Sequence, residues 1–403
     1  MNISILSIGD ELLSGDTINT NFSWISNKVS VLGINVEKQI TCQDKELDMR
    51  NALDFLLSTK PAYIITTGGL GPTEDDVTRS SLFKYFNVEE KFDYKYWEKL
   101  KSNYNKMGIE LLVSNKSQAI IPSKGKVIDN PKGSARGYWF HKKNTEIIIL
   151  PGVPAEMKVM MEISILPILY KNLTKPIYRK TLRTTGYNES ILAEKIREII
   201  KEKNDCKIGY YPSAYGVDIR ISSTSKIKLE KFYIGIRNIL RDIVFSSTTD
   251  SIEKLIIDIL IIKRKTISFA ESCTGGLIAN RITNIPGSSK VFSGGFITYS
   301  NQSKSKHLEI SNNLIKDAGA VSKAVAKQMS ERIREKFNTS LGLAVTGIAG
   351  PDGGSQDKPV GTVFISVSDK ERTLVNKFLF GNDREKNKIK TSQAAFNMLR
   401  LFI

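Results

Sequence analysis

The sequence predicts an α/β protein of two or three domains. Apolar runs that read as buried strands end in glycine-rich loops, and helical spacing follows each loop, which is the order of a parallel sheet whose loops bind ligands at the strand ends. The chain has 403 residues, well beyond the roughly 250 at which single cores stop growing. A stretch near 178–247 breaks the rhythm and reads as a separate small α+β module. The expected domains are therefore 1–172, 176–248 and 251–403.

Along the first domain, ISILSIG (3–9) is a strand that enters a polar loop, and a helix is expected near 18–32. INVEKQIT (about 34–41) is a second strand, followed by a helix near 46–58. AYIITTGG (62–69) is a β-rich run that breaks into glycines. Charged and aromatic residues at helical spacing fill 91–107. TEIIILPGVPAEM (145–157) is another buried strand, and Pro151, Gly152 and Pro154 fix the turn into its helix.

Pro176 marks the boundary to the middle module. Its expected order is a strand in YRKTLRTTG, a helix in ESILAEKIREIIKE, strands in CKIGYYP and GVDIRIS, and a helix in KLEKFYIGIRNILRDI. It carries no evident catalytic cluster and reads as a connector. In the last domain a helix at 251–263 precedes the strand TISFAE, and a helix opens within CTGGLIANRIT. FSGGFITYS is a strand ending at Tyr299, 322–337 an amphipathic helix, LGLAVTG and VGTVFISVS buried strands, and 384–402 a helix. No fixed-period repeat or low-complexity tract is visible.

Composition narrows the function. The formal charge is +17, yet the lysines are spread along the chain, and KEK (201–203) and KRK (263–265) fall at helix ends or connections. The charge reads as solvated surface that attracts anionic nucleotides, with nucleic acid an unlikely partner. No apolar stretch approaches the roughly 20 residues of a membrane span, and the first residues lack the basic lead of a secretory signal. Cys42, Cys206 and Cys273 form no CxxC pair, which argues for a reducing, cytoplasmic setting and against a zinc or disulfide scaffold.

Two N-terminal loops carry chemistry, GDELLSGDTINTN (9–21) and TTGGLGPTEDDVT (66–78). Gly68, Gly69 and Gly71 leave backbone amides bare at a strand end, which suits a phosphate. Thr67 and Thr73 add hydroxyls, while Glu74, Asp75 and Asp76 supply hard oxygens for a divalent cation. The residues alone leave open that the acidic pair only caps the helix that follows.

In the last domain, hydroxyls and glycines crowd ESCTGG, GSS and GFITYSNQSK. His141, in the polar turn YWFHKKN, and His307 are the only histidines; both are expected at the surface, which argues against a Ser-His-Asp triad. A desolvated lysine can serve as base instead, with tyrosine relaying the proton. Ser289, Tyr299 and Lys304 offer those groups within one segment. The same residues leave open a helix cap, a core tyrosine and a solvated lysine.

GDELLSGDTINTN, GGLGPTEDD and PGVPAEM together resemble the N-terminal domain of the CinA (competence/damage-inducible) family, which is similar to the MoaB/MogA fold. The resemblance implies metal-dependent hydrolysis of the ADP-ribose pyrophosphate. On it, Gly68, Gly69, Gly71, Pro72 and Thr73 form the phosphate loop, with Asn19 contacting the ligand and Asp10, Asp75 and Asp76 holding the metal. ESCTGG, GSS, GFITYSNQSK, VTGIAGPDGG and KPVGTV resemble the family's C-terminal domain, a PncC-type nicotinamide-mononucleotide amidase. That resemblance implies Ser289 as nucleophile, activated by Tyr299 and Lys304 without a cofactor. Ser272, Thr274, Gly275, Gly276, Asn301, Thr346, Gly347 and Arg384 would bind the substrate, the arginine as phosphate clamp. It further implies a KH-like fold for the middle module and a homodimer.

Overall fold

The computed structural model describes residues 1–173, 176–201, 205–248 and 250–403. It divides into two compact units, Met1–Tyr178 and Arg179–Ile403. The expected connector and the last domain thus fall in one unit.

In the first unit, β1 (Asn2–Ile8), β2 (Asn35–Cys42) and β3 (Tyr63–Thr67) are followed by a separate short pair, β4 (Glu90–Phe92) and β5 (Ile120–Pro122). With β6 (Lys126–Ile128), β7 (Gly137–Lys142) and β8 (Thr145–Leu150), the main sheet runs β2-β1-β3-β8-β7-β6. β1 is parallel to β2 and β3, and β3 to β8, while β7 and β6 add antiparallel strands at one edge. Side chains alternate between two cores: Leu6, Ile8, Ile64 and Ile147 face one layer, and Ile3, Ile5, Ile65 and Ile148 the other. Burial on both faces explains why these strands read as continuous apolar runs.

The chain passes from β1 to β2 on one side and returns to β3 on the other. The crevice beyond the carboxyl ends of β1 and β3 is therefore the place where such sheets bind ligands. The helix at Glu46–Ser58 coincides with the expected one, whereas a short helix at Asp10–Ser14 occupies the expected polar loop. YWFHKK was expected to be a turn but lies mostly in β7, because Tyr138 and Phe140 alternate inward. The turn proper is Lys143-Asn144, both with positive φ, as tight hairpins require.

In the second unit, β9 (Tyr178–Thr184), β10 (Lys207–Ser213), β11 (Gly216–Ser223) and β12 (Val244–Ser246) form a sheet in the order β10-β11-β9-β12. The helix Lys226–Leu240 packs on β11. The expected helix ESILAEKIREIIKE is two helices, Glu189–Lys195 and Arg197–Lys201; its last residue and most of KEK lie outside the described residues. Next come β13 (Ile267–Glu271), β14 (Phe292–Ile297), β15 (Leu341–Gly347), β16 (Thr362–Ser368) and β17 (Thr373–Leu379), in the order β14-β13-β15-β16-β17. β14, β13 and β15 are parallel, while β16 and β17 are antiparallel additions.

Helices Ile252–Ile262 and Arg384–Phe402 cover one face of this sheet, and Lys323–Lys336 covers the other. The sequence reading missed β17 because Leu374, Asn376 and Phe378 alternate on an edge strand with a partly open face. β13 again lies between an early neighbour and a later one, which places a second crevice at the ends of β14, β13 and β15. Among the described residues no helix is long and apolar enough to cross a membrane.

Candidate active sites

The first crevice has a volume of about 490 Å³ and is lined by Gly68, Gly69, Gly71, Pro72, Asn19, Asp75 and Asp76. Gly68 has φ +123, and a Cβ there would strike the Ile8 carbonyl oxygen, so only glycine fits where β3 turns beside β1. Thr67 donates to the Pro151 carbonyl at 2.9 Å, tying β3 to the loop after β8.

Several expected roles change here. Asp76 accepts from the Thr73 backbone N–H at 3.1 Å and from its hydroxyl, so Thr73 closes the loop and does not line the crevice. The helix Thr78–Tyr85 has Val77 at its N-cap without a side-chain bond, so the acidic pair does not cap it. Asn19 caps the helix Thr20–Val31 through its Oδ1 and donates to Ser7 at 2.8 Å, which commits both ends of its amide to the fold. Asp10 heads the short helix and does not line the crevice; Glu11 and Asp44 do.

Asp44 had no sequence signal, being one of many exposed-looking carboxylates. It accepts from the Asp10 backbone N–H at 3.1 Å, and burial raises its pKa, with Asp10, Glu11 and Asp76 adding repulsion. Gln118 was missed as well, since it comes from a distant short helical turn. Its Nε2 donates to the Leu70 carbonyl, leaving Oε1 as a buried acceptor without a partner among the described residues. Asn21 Oδ1 is a second such acceptor, and both residues line the crevice.

Among the described residues no three His, Cys, Asp or Glu side chains stand close enough to form a metal cage. Asp44, Asp75 and Asp76 line the same crevice without forming such a cluster.

At the second crevice, Lys304 sits on the helix Asn301–Leu308, which Ser300 caps by accepting from the Ser303 N–H at 3.0 Å. The lysine is 2% exposed. Its Nζ donates to Ser272 Oγ at 3.1 Å and to the Thr298 carbonyl at 2.9 Å, with the Tyr299 carbonyl at 3.5 Å. It has no carboxylate partner among the described residues, and burial pushes its pKa below the usual lysine value. This differs from the expectation of an amine on Ser289. Ser289 lies exposed in the helical turn Ser288–Lys290 and makes no hydrogen bond to Lys304 or Tyr299. Both serines stood in the sequence motifs, but the fold alone decides which one meets the amine.

Tyr299 lies two residues beyond the end of β14 rather than within it, and is 57% exposed. Its hydroxyl accepts from Arg384 Nη2 at 2.7 Å, while Nη1 of that arginine donates to the Gly350 carbonyl at 2.8 Å. Arg384 therefore braces Tyr299 at the mouth of the crevice.

Glu271, missed as a functional residue, collects four donors: the Thr274 hydroxyl at 2.6 Å and the backbone N–H groups of Gly276, Ile278 and Ala279. Thr274 and the Gly276 amide are thus spent on holding the helix Leu277–Thr283, not free for a substrate. Thr346 is similarly committed to the Ala320 carbonyl at 2.9 Å. Gly347 answers to packing, because a Cβ there would lie 2.6 Å from Val363 and 3.1 Å from the Cys273 sulfur. Gly275, with φ +62, donates its N–H to the Ser272 carbonyl at 3.0 Å, while Asn301 stays exposed and open to a ligand.

Three domain families match in succession: "Probable molybdopterin binding domain" over 4–171, "Damage-inducible protein CinA KH domain" over 179–246, and "CinA C-terminal domain" over 249–403. A CinA-like protein of Dictyoglomus turgidum is 36% identical, covering 99% of this chain and 98% of its own. The chain belongs to the CinA family. A CinA-like protein of Prochlorococcus marinus is also 36% identical, over 100% of this chain and 95% of its own. A relative from Caldicellulosiruptor saccharolyticus, named for competence-damage induction, is 36% identical over 99% and 98%. This CinA domain set supports a nucleotide-processing role and is consistent with hydrolase activity.

Proposed function

We propose that the C-terminal crevice hydrolyses the carboxamide of nicotinamide mononucleotide to nicotinate mononucleotide and ammonia. The observation that carries this reading is a buried lysine amine, without an anionic partner, resting on a serine hydroxyl where three parallel strands end. Burial lowers the pKa of this amine, so it gives up its proton more readily and can serve as the base that histidine would otherwise supply.

Ser272 attacks the carboxamide carbon as its proton passes to Lys304; Ser289 precedes β14 whereas Ser272 follows β13, so Ser289 stands at the opposite end of these parallel strands and takes no part. Lys304 then returns a proton to the departing ammonia, and water releases the acyl group by the same route. The test is ammonia release with Ser289→Ala and Ser272→Ala. The reading expects Ser272→Ala to abolish turnover and Ser289→Ala to leave it largely intact. Turnover that survives in Ser272→Ala, or disappears in Ser289→Ala, would refute Ser272 as the nucleophile.

For the N-terminal crevice we propose cleavage of the ADP-ribose pyrophosphate with a divalent cation. The glycine loop beside Asp44, Asp75 and Asp76 supports this assignment. Such a cation would neutralise phosphate charge, and Gln118 Oε1 and Asn21 Oδ1 would accept from base or ribose donors. AMP release that a chelator stops is the expected result. Saturable ADP-ribose binding without product would leave a binding and regulatory domain instead.

A further inference from the structure

Within the second unit a third cleft, of about 950 Å³, opens between the small α+β module and the C-terminal sheet. One wall is the last helix, where Lys390, Gln393, Ala394, Asn397, Met398 and Leu401 recur at three- and four-residue spacing and so share a face. The floor is β17 and its continuation, with the Phe378 and Phe380 rings stacked at 5.6 Å and 10°. Tyr187 and Tyr215, 41% and 45% exposed, stand on the opposite wall.

Arg281 holds the walls together. It lies between the Tyr215 and Phe396 rings, 4.9 and 5.0 Å from their centroids, and binds Glu253, Ser392 and Gln393. Gln393 is 3% exposed. Its Oε1 accepts from Arg281 at 2.8 Å, and because a guanidinium only donates, the amide orientation is fixed. Nε2 is then a buried donor with no partner among the described residues.

We propose that this cleft binds a flat heteroaromatic ring bearing a hydrogen-bond acceptor, the base of a nucleoside. The volume lies within the range that small-ligand pockets occupy. Phenylalanine and tyrosine faces offer stacking to a planar ring of any identity. A ring nitrogen or carbonyl oxygen supplies the acceptor that Gln393 lacks, whereas a purely hydrocarbon ring would leave that donor orphaned. With one lysine facing two carboxylates, Glu189 and Asp242, the lining has no excess of positive charge, which favours a neutral base or nucleoside over a polyanion.

The test uses the full chain, adenosine as probe and ribose as control, with hydrogen–deuterium exchange as readout, independent of turnover at either proposed active site. Adenosine, and not ribose, should protect segments 185–189, 213–217 and 374–380. Ala394→Trp, which fills the cleft, should weaken that protection at least ~10-fold in adenosine concentration while leaving any protection of the 66–76 loop unchanged. Leu401→Lys, at a position 54% exposed and so tolerant of change, is the second variant and should act alike. Absence of protection in these segments at millimolar adenosine overturns the proposal, as does protection that both variants leave intact.

Discussion

Removing the Ser272 hydroxyl should move the titration of Lys304 in a direction the geometry fixes. Lys304 Nζ is held by one hydroxyl and two carbonyl oxygens, all acceptors that favour the ammonium form, against burial that disfavours it. Ser272→Ala deletes one acceptor and adds a methyl group, so the amine should lose its proton more readily. A hydrogen bond to a charged group contributes about 1.5–3 kcal/mol, which at about 1.4 kcal/mol per unit corresponds to roughly 1–2 pH units. The Lys304 titration, followed by NMR of labelled lysine, should therefore shift to lower pH by that amount, while ammonia release is lost with the Ser272 hydroxyl. Lys304→Met should lower kcat by about 10²–10⁴-fold, the usual contribution of a general base.

Stability offers a second reading of the same group. The folded protein holds fewer protons on Lys304 than the unfolded chain in the window between its lowered pKa and the ordinary 10.5. Unfolding free energy should accordingly rise with pH through that window, and Lys304→Met should erase the rise in urea titrations. A Lys304 titration that stays in place in Ser272→Ala, or moves upward, would refute the assignment of Lys304 as the base.

Glu271→Gln puts an amide NH₂ against backbone donors that a carboxylate now satisfies. It should cost about 2–4 kcal/mol and lower the melting temperature by roughly 5–10 °C in a scanning fluorimetry trace. Gly68→Ala should destabilise the first unit by about 3 kcal/mol or more through strained φ and the Ile8 clash, while ammonia release at 25 °C persists. Burial pushes the Cys42 and Cys273 thiols up to about 12, so at pH 8 about one in 10⁴ is thiolate; Ellman's reagent should titrate a single thiol, that of half-buried Cys206, until denaturant is added.

Much of both crevices was legible in the chain. Strands buried on two faces announce themselves as apolar runs, and glycines such as Gly68 survive where backbone must pass close to backbone, so the fold class and both loop clusters follow from local pattern. The edge elements did not: β7 and β17 carry polar residues on an open face, and alternation over six or seven residues with charges between reads as a turn or as nothing.

Hydroxyl-rich motifs revealed a site but not its partners. Ser272 and Ser289 stand in equally suggestive text, and the choice of which meets Lys304 depends on how the ends of β13 and β14 lie side by side. The same holds for Thr274 and Thr346, whose hydroxyls the fold spends on Glu271 and Ala320.

Residue order alone thus determined the alternation of strand, loop and helix and the chemistry available at each loop. Tertiary structure decided which groups are dry, paired or free: burial of Lys304, the raised Asp44 and the orphaned amides of Gln118 and Gln393 all arise from segments far apart in sequence. Hydrogen-bond pairing and desolvation are properties of an environment, and a side chain acquires its environment only when the distant segments close around it.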